Sequence, residues 1–315
     1  MKINCNKTKI IISAIVFLIL SYLSLSLPSD FDKDILINLR IPRYLGILLT
    51  GFSLSTAGFI LQLVTKNPLA DPFIIGTSGA SMLGIILCSL MQISFYDIRY
   101  FFIIIFFSLS VTIFSYKLSY LGSSKSANNI LLSGIAINSF ILSLIVLLII
   151  FSREWSINFM HISFGSFSYS DYNKLTVLYS IFFILIFLLF FLNKYILVFS
   201  FDDDKSKTLG IDSNKIKFII FVIVSFLTSI SVSISQMIGF IGLMIPHITR
   251  SFLNRENFNI IFIFNLLYGG LFLLMADVIS RMFFYPLELP PGVISSIFGS
   301  LFFIWLILRK EAKNY

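Results

Sequence analysis

The chain has 315 residues, of which 57% are hydrophobic and 12% charged, with a mean hydropathy of +0.96 and a formal net charge of +8. A soluble domain carries about 25% charged residues, so this chain cannot clothe a normal water-facing surface. No alternating apolar and polar pattern of about ten residues recurs, which argues against an outer-membrane barrel; the composition points to an all-α, polytopic membrane protein.

Roughly 20 apolar residues cross a bilayer core as a helix. On that measure the expected spans are 10–27, 43–63, 73–92, 100–120, 129–151, 173–193, 216–235, 241–253, 258–280 and 292–309, within a single transmembrane domain, 1–315. The eighth stretch is too short for a full crossing and is expected to be half-buried or broken. About ten spans put both termini on one side. Sixteen of the 23 Lys and Arg fall on that side, among them Lys2, Lys66, Lys125, Lys205 and Arg309. Basic residues favour the cytoplasm, so both termini are expected to be cytoplasmic, and the same rule accounts for the positive charge without nucleic acid. The first span resembles a signal peptide, with a basic start and a conceivable Ser24-Leu25-Ser26 cleavage site. It is expected to stay uncleaved, since losing it would upset the charge count.

After the second span comes Asn67-Pro68-Leu69-Ala70-Asp71-Pro72, then Gly76-Thr77-Ser78-Gly79-Ala80. Pro68 cannot continue a helix, so a tight cytoplasmic reversal is expected. Asp71 is placed to cap the next span, with Pro72 at its first position. Gly76, Ala80 and Gly84 form a small-residue stripe that admits another helix.

Residues 194–217 carry the densest charge, including Asp202, Asp203, Asp204, Lys205 and Lys207. A charge run is ordinarily a solvated loop, yet the three acids could start a short helix and Gly210 end it. Later, Asp277 and Arg281 stand four apart on one helical face and are expected to pair. His161 and His247 lie far apart, without a clustered thiol or carboxylate, so no metal site is expected. His161, in the external loop, offers a candidate haem ligand. Cys5 and Cys88 suggest neither a disulfide nor a metal pair. No G-x-x-x-x-G-K-[ST] sequence occurs, so the phosphate-cradling loop of an ATPase is missing.

Several ordered motifs carry a resemblance: RIPRYLGILLTG from Arg40, NPLADPFIIGTSGASMLG from Asn67, LSGIAIN from Leu132, DDKSKTLG from Asp203, IGFIGLMIPHITR from Ile238, ADVISR from Ala276 and ELPPGVISSIFGSLFFIWLI from Glu288. Across roughly 40–309 the chain resembles the permease subunits of the iron-chelate, haem and cobalamin uptake family of ABC importers, the FecCD type of type II importers. Gln236 and Met237 depart from it, standing where relatives usually have Gly and a small residue or Pro, and Pro291 replaces a small aliphatic residue.

The resemblance implies a permease that moves an iron-siderophore, haem or cobalamin by alternating access from a periplasmic or lipid-anchored substrate-binding protein into the cytoplasm. It implies a second permease copy in a homodimer, in the bacterial inner membrane. It places ATP and Mg on a separate cytoplasmic ATPase subunit, with no cofactor or enzymatic activity on this chain. It assigns ATPase coupling to Asp203, Lys207, Leu209 and Gly210, and docking of the binding protein to Arg40, Arg43 and Arg281. It assigns a cytoplasmic gate to Asn67, Pro68 and Leu69, and a weakly polar pathway to Ser133, Gly134, Asn138, Ser139, Ser295, Ser296, Gly299 and Ser300. The external loop from Trp155 to Tyr172, with Gly165 and Ser166, would gate the outer mouth. An ion-coupled secondary transporter is the competing reading; its mark would be clustered intramembrane acids or broken helices in matching halves.

Overall fold

A computed structural model describes residues 2–26, 33–121, 127–151, 164–167, 170–201, 213–253, 257–283 and 288–311. Every regular element among them is helical. They are α1 (Lys2–Ser26), α2 (Lys33–Thr65), α3 (Thr77–Leu90), α4 (Ile98–Leu121), α5 (Ala127–Phe151), α6 (Tyr172–Phe201), α7 (Ser213–Ser235), α8 (Ile241–Phe252), α9 (Phe258–Met282) and α10 (Pro291–Glu311). All ten expected spans are present. "Outer" and "inner" below follow the lysine and arginine count.

The innermost helix is α2. Its apolar window is 89% buried, and it packs against α9, α7, α8 and α6. Lipid tails are as apolar as leucine, so helices meet in a membrane where small side chains let backbones close in. A Cβ on Gly51 would lie 2.5 Å from Gly269 O, and one on Gly58 would overlap Gly242 O. These glycines set how closely α9 and α8 approach. Asn265 ties the first crossing, donating from Nδ2 to Ser55 O at 2.8 Å.

Two helices are shorter than a crossing. α8 has 12 residues, as its apolar length implied. The surprise is α3, with 14 residues where a 20-residue span was expected. Asp71 and Pro72 do not start it. Asp71 Oδ1 instead accepts from Phe73 N at 2.7 Å in a local turn that runs on to Gly76. The helix begins after Gly76, whose φ is +90°. α8 likewise begins after a left-handed residue, Phe240, with φ +69°.

The two halves match. A long helix (α2 or α7), an irregular segment and a short helix behind a left-handed cap (α3 or α8) lead into two longer helices. The cross-contacts correspond too: α2 lies on α9, and its counterpart α7 lies on α4. Because α2 and α7 run opposite ways across the alternating spans, the irregular segments enter from opposite faces. This is an inverted repeat with broken helices, a common transporter plan.

Gly58→Val should force α2 and α8 apart, at about 1–3 kcal/mol, and lower the melting temperature of the purified protein. A Cβ at Gly239 meets nothing within 4 Å, so Gly239→Ala should melt within about 0.5 kcal/mol of wild type.

Candidate functional site

The outer end of the protomer is held by buried charge. The last carbonyls of α1 have no intrahelical donors, and two arginines supply them. Arg40 Nη1 donates to Leu25 O at 3.0 Å, and Arg281 Nη2 to Ser24 O at 3.1 Å. Cations suit this end of a helix dipole. Arg281 also pairs with Asp277 at 2.7 Å, as their i,i+4 spacing predicted. Asp277 is fully buried and takes a second partner, with Arg43 Nη2 2.9 Å from Oδ1. Arg43 Nη1 then reaches Glu288 at 2.8 Å. One chain of charge thus links α1, α2, α9 and the approach to α10.

Of the arginines assigned to docking, Arg40 is 8% exposed and Arg281 7%; both guanidinium groups are engaged by groups inside the protein. Of the three, Arg43 is the one at a surface, its side chain 17% exposed beside the half-exposed Glu288. Arg43 and Glu288 line an outer cavity of about 60 Å³ with Gly165, Ser166, Pro290 and Pro291. Such a volume suits a few waters rather than a chelate.

Two further residues secure this end without having been singled out in the sequence. Lys174 is 4% exposed. Its Nζ donates to Ser233 O at 2.7 Å and Phe95 O at 3.0 Å, and lies 4.6 Å from the Tyr100 ring centre. It caps the last turn of α7 while Asp171 caps the first turn of α6. Tyr172 fills a different gap. α2 passes through a π-turn at Leu36–Arg40. Pro42 lacks the N–H that would return to Ile37, and Tyr172 Oη donates to Ile37 O at 2.5 Å instead.

At the inner end, Asn67 Oδ1 accepts from Leu69 N at 2.9 Å, closing a tight reversal with Pro68 and Leu69 exposed at its tip. The chain then turns inward, with Ala70 and Asp71 buried. Burial pushes the Asp71 carboxyl up to about 6. Next to it, Gln62 donates from Nε2 to the carbonyls of Gly242 and Leu243 at 3.2 Å each, and its Oε1 accepts from Arg250.

The eight assigned pathway residues divide by burial. Ser133 donates to Ser115 O at 3.1 Å, and Gly134 abuts the backbone of Ile74 and Ile75. Ser295 donates to Gly239 O at 3.2 Å, and Gly299 abuts Phe240. These four pack within the protomer around the irregular segments. Asn138 is half-buried against Gly79, and Ser296 is half-buried too. Ser139 and Ser300 are exposed, each on the open face of its helix. Asp203, Lys207, Leu209 and Gly210 lie outside the described residues, as do His161 and the loop up to residue 163.

Gln236 has φ +62° and a buried side chain. Glycine would adopt that left-handed backbone without steric cost.

Comparison with known proteins gives one answer along most of the chain. The model of the FecCD transport family matches residues 5–309. A protein of Helicobacter pylori named as a probable iron chelatin transport system permease protein is 34% identical over 283 residues, covering 88% of this chain and 83% of the relative. The iron-uptake system permease protein FeuB of Bacillus subtilis is 34% identical over 306 residues, covering 91% and 86%. A solved structure described as an inward-facing conformation of a metal-chelate type ABC transporter superposes with a TM-score of 0.85 over 96% of this chain and 99% of that one, at 24% identity, and shows the same fold.

Removing one member of a buried ion pair strands its partner, at about 3–5 kcal/mol. Asp277→Asn should therefore lower the melting temperature sharply. Glu288→Gln breaks a half-exposed contact and should shift stability by about 1 kcal/mol or less. Thermal unfolding of the two variants in one detergent checks the order.

Proposed function

This chain belongs to the FecCD transport family, and we propose on that basis that it is the transmembrane permease subunit of an ATP-driven importer in the bacterial cytoplasmic membrane. The cargo is an iron-siderophore, haem or cobalamin, delivered by a substrate-binding protein and released inside by alternating access. The family match over residues 5–309 carries this reading. It is supported by the iron-transport names of relatives that share about a third of their residues with the chain.

The division of labour follows from the residues. With no phosphate-cradling loop in the sequence, nucleotide chemistry falls to a separate ATPase subunit with its Mg. The charged stretch 194–217 is the contact for that subunit, through Asp203, Lys207, Leu209 and Gly210. A second copy of the chain completes the pathway as a homodimer, the open faces of α5 and α10 with Ser139 and Ser300 turned toward it. Asn67, Pro68 and Leu69 form the inner gate. Arg43 makes the outer contact with the binding protein, while Arg40 and Arg281 hold the helix ends that position it. Surface charge of this kind sets encounter rate and orientation more than affinity.

The inverted repeat and its broken helices also favour an ion-coupled transporter. Against that stands the state of Asp277, which two arginines neutralise, and family membership ranks ATP coupling first.

Reversing charge at both Asp203 and Lys207 should cut ATP-driven uptake of a ferric chelate at least tenfold while leaving the amount of permease in the membrane unchanged. Undiminished uptake by that variant would reject the coupling assignment.

A further inference from the structure

Asp71 is a buried acid that nothing above employs. Its side chain holds one bond, from Phe73 N to Oδ1. The other oxygen, Oδ2, is buried with no hydrogen-bond partner. That oxygen faces a specific target: a Cβ built on Gly242 would lie 3.2 Å from it. Gly242 sits in the first turn of α8, where helix donors go unmatched. The N–H groups of Leu243 and Met244 fold back onto Phe240 O. The cap residue Phe240 offers no side-chain acceptor to the turn. An orphaned acceptor and an uncapped helix start therefore lie side by side without joining. Gln62 and Gly58 hold Gly242 from α2.

We propose that Asp71 is a positioning residue of the transport cycle, whose second carboxylate oxygen caps the first turn of α8 in the alternate conformation and is left bare in this one. The inference rests on the proposed alternating-access function and names the residue that carries it at the inner end. A contact made in one state and absent in the other is what shifts a two-state population. The attraction between a carboxylate and a helix start supplies that difference, and the Asn67–Leu69 tip sits two residues away on the same reversal.

Charge decides the sign of the pH effect. The charged group bonded nearest to this site is Arg250, which Gln62 Oε1 holds. No charged side chain among the described residues is hydrogen-bonded to Asp71, and burial is the largest influence on its carboxyl. Burial raises its carboxyl from 3.8 to about 6. The folded state thus keeps a proton that the unfolded chain has lost. Stability falls as pH rises between those values and stays at the lower level above them. At neutral pH the present conformation carries a destabilising charge.

The test uses the whole permease–ATPase complex in lipid nanodiscs and proteoliposomes, comparing wild type with Asp71→Asn, which keeps the shape and drops the charge. At pH 7.5 the variant should melt a few degrees higher than wild type, the gap closing as pH falls below about 4, while ferric-chelate uptake drops at least tenfold. Hydrogen exchange at 239–244 should differ between nucleotide-free and nucleotide-trapped wild type, and that difference should vanish in the variant. A variant that melts lower at pH 7.5, or imports at the wild-type rate, or keeps the state-dependent exchange, overturns the assignment. Failure of the import reading itself would show separately, as a wild-type complex with no ATP-driven uptake.

Discussion

Water is absent from the centre of a bilayer, so a helix that stops short of the surface must find partners for its end inside the protein. That constraint organises this molecule. Two helices, α3 and α8, begin inside it behind left-handed residues. The segments leading into them, 66–76 and 236–240, are covered by glycines on neighbouring helices that let backbone lie on backbone. Gly134 abuts the backbone of Ile74 and Ile75; a Cβ on Gly292 would meet Met237 O at 3.3 Å, and Gly299 lies against the Phe240 side chain. Side chains of any size at these points would open gaps where no solvent could satisfy the exposed groups.

The outer end meets the same constraint with charge. Arg40 and Arg281 take the last carbonyls of α1, Lys174 takes that of Ser233, and Tyr172 takes the one that Pro42 leaves unmatched. Burying so many cations is tolerable because each has specific acceptors, and Asp277 balances two of them. The outer end is therefore a rigid frame. At the inner end the reversal at 66–69 is largely exposed, and its buried continuation leaves Asp71 half-matched.

Much of this was legible in the sequence. Apolar length placed ten helices and singled out α8 as short, and the four-residue spacing of Asp277 and Arg281 gave their pair. The ordered motifs gave the family. What escaped has physical reasons. α3 reads as a full span because Pro72 to Gly76 are apolar or small; hydropathy does not register a chain that is buried yet not helical. Arg40 and Arg281 read as surface arginines because they flank spans, and only the fold shows α1 ending between them. Lys174 counted as one outer charge among seven. Asp71 reads as the cap of α3 from its place in the chain; in the structure it accepts from Phe73 N within its own turn, and the start of α8 lies beside it in space.

On the proposed function, this protein is a conduit worked from outside its own chain. Proteoliposomes holding the permease with its ATPase and binding protein, loaded with radiolabelled ferric chelate outside and nucleotide inside, test it most directly. Accumulation should require hydrolysable ATP and persist when ion gradients are collapsed. Accumulation by the permease alone on a proton or sodium gradient would contradict it.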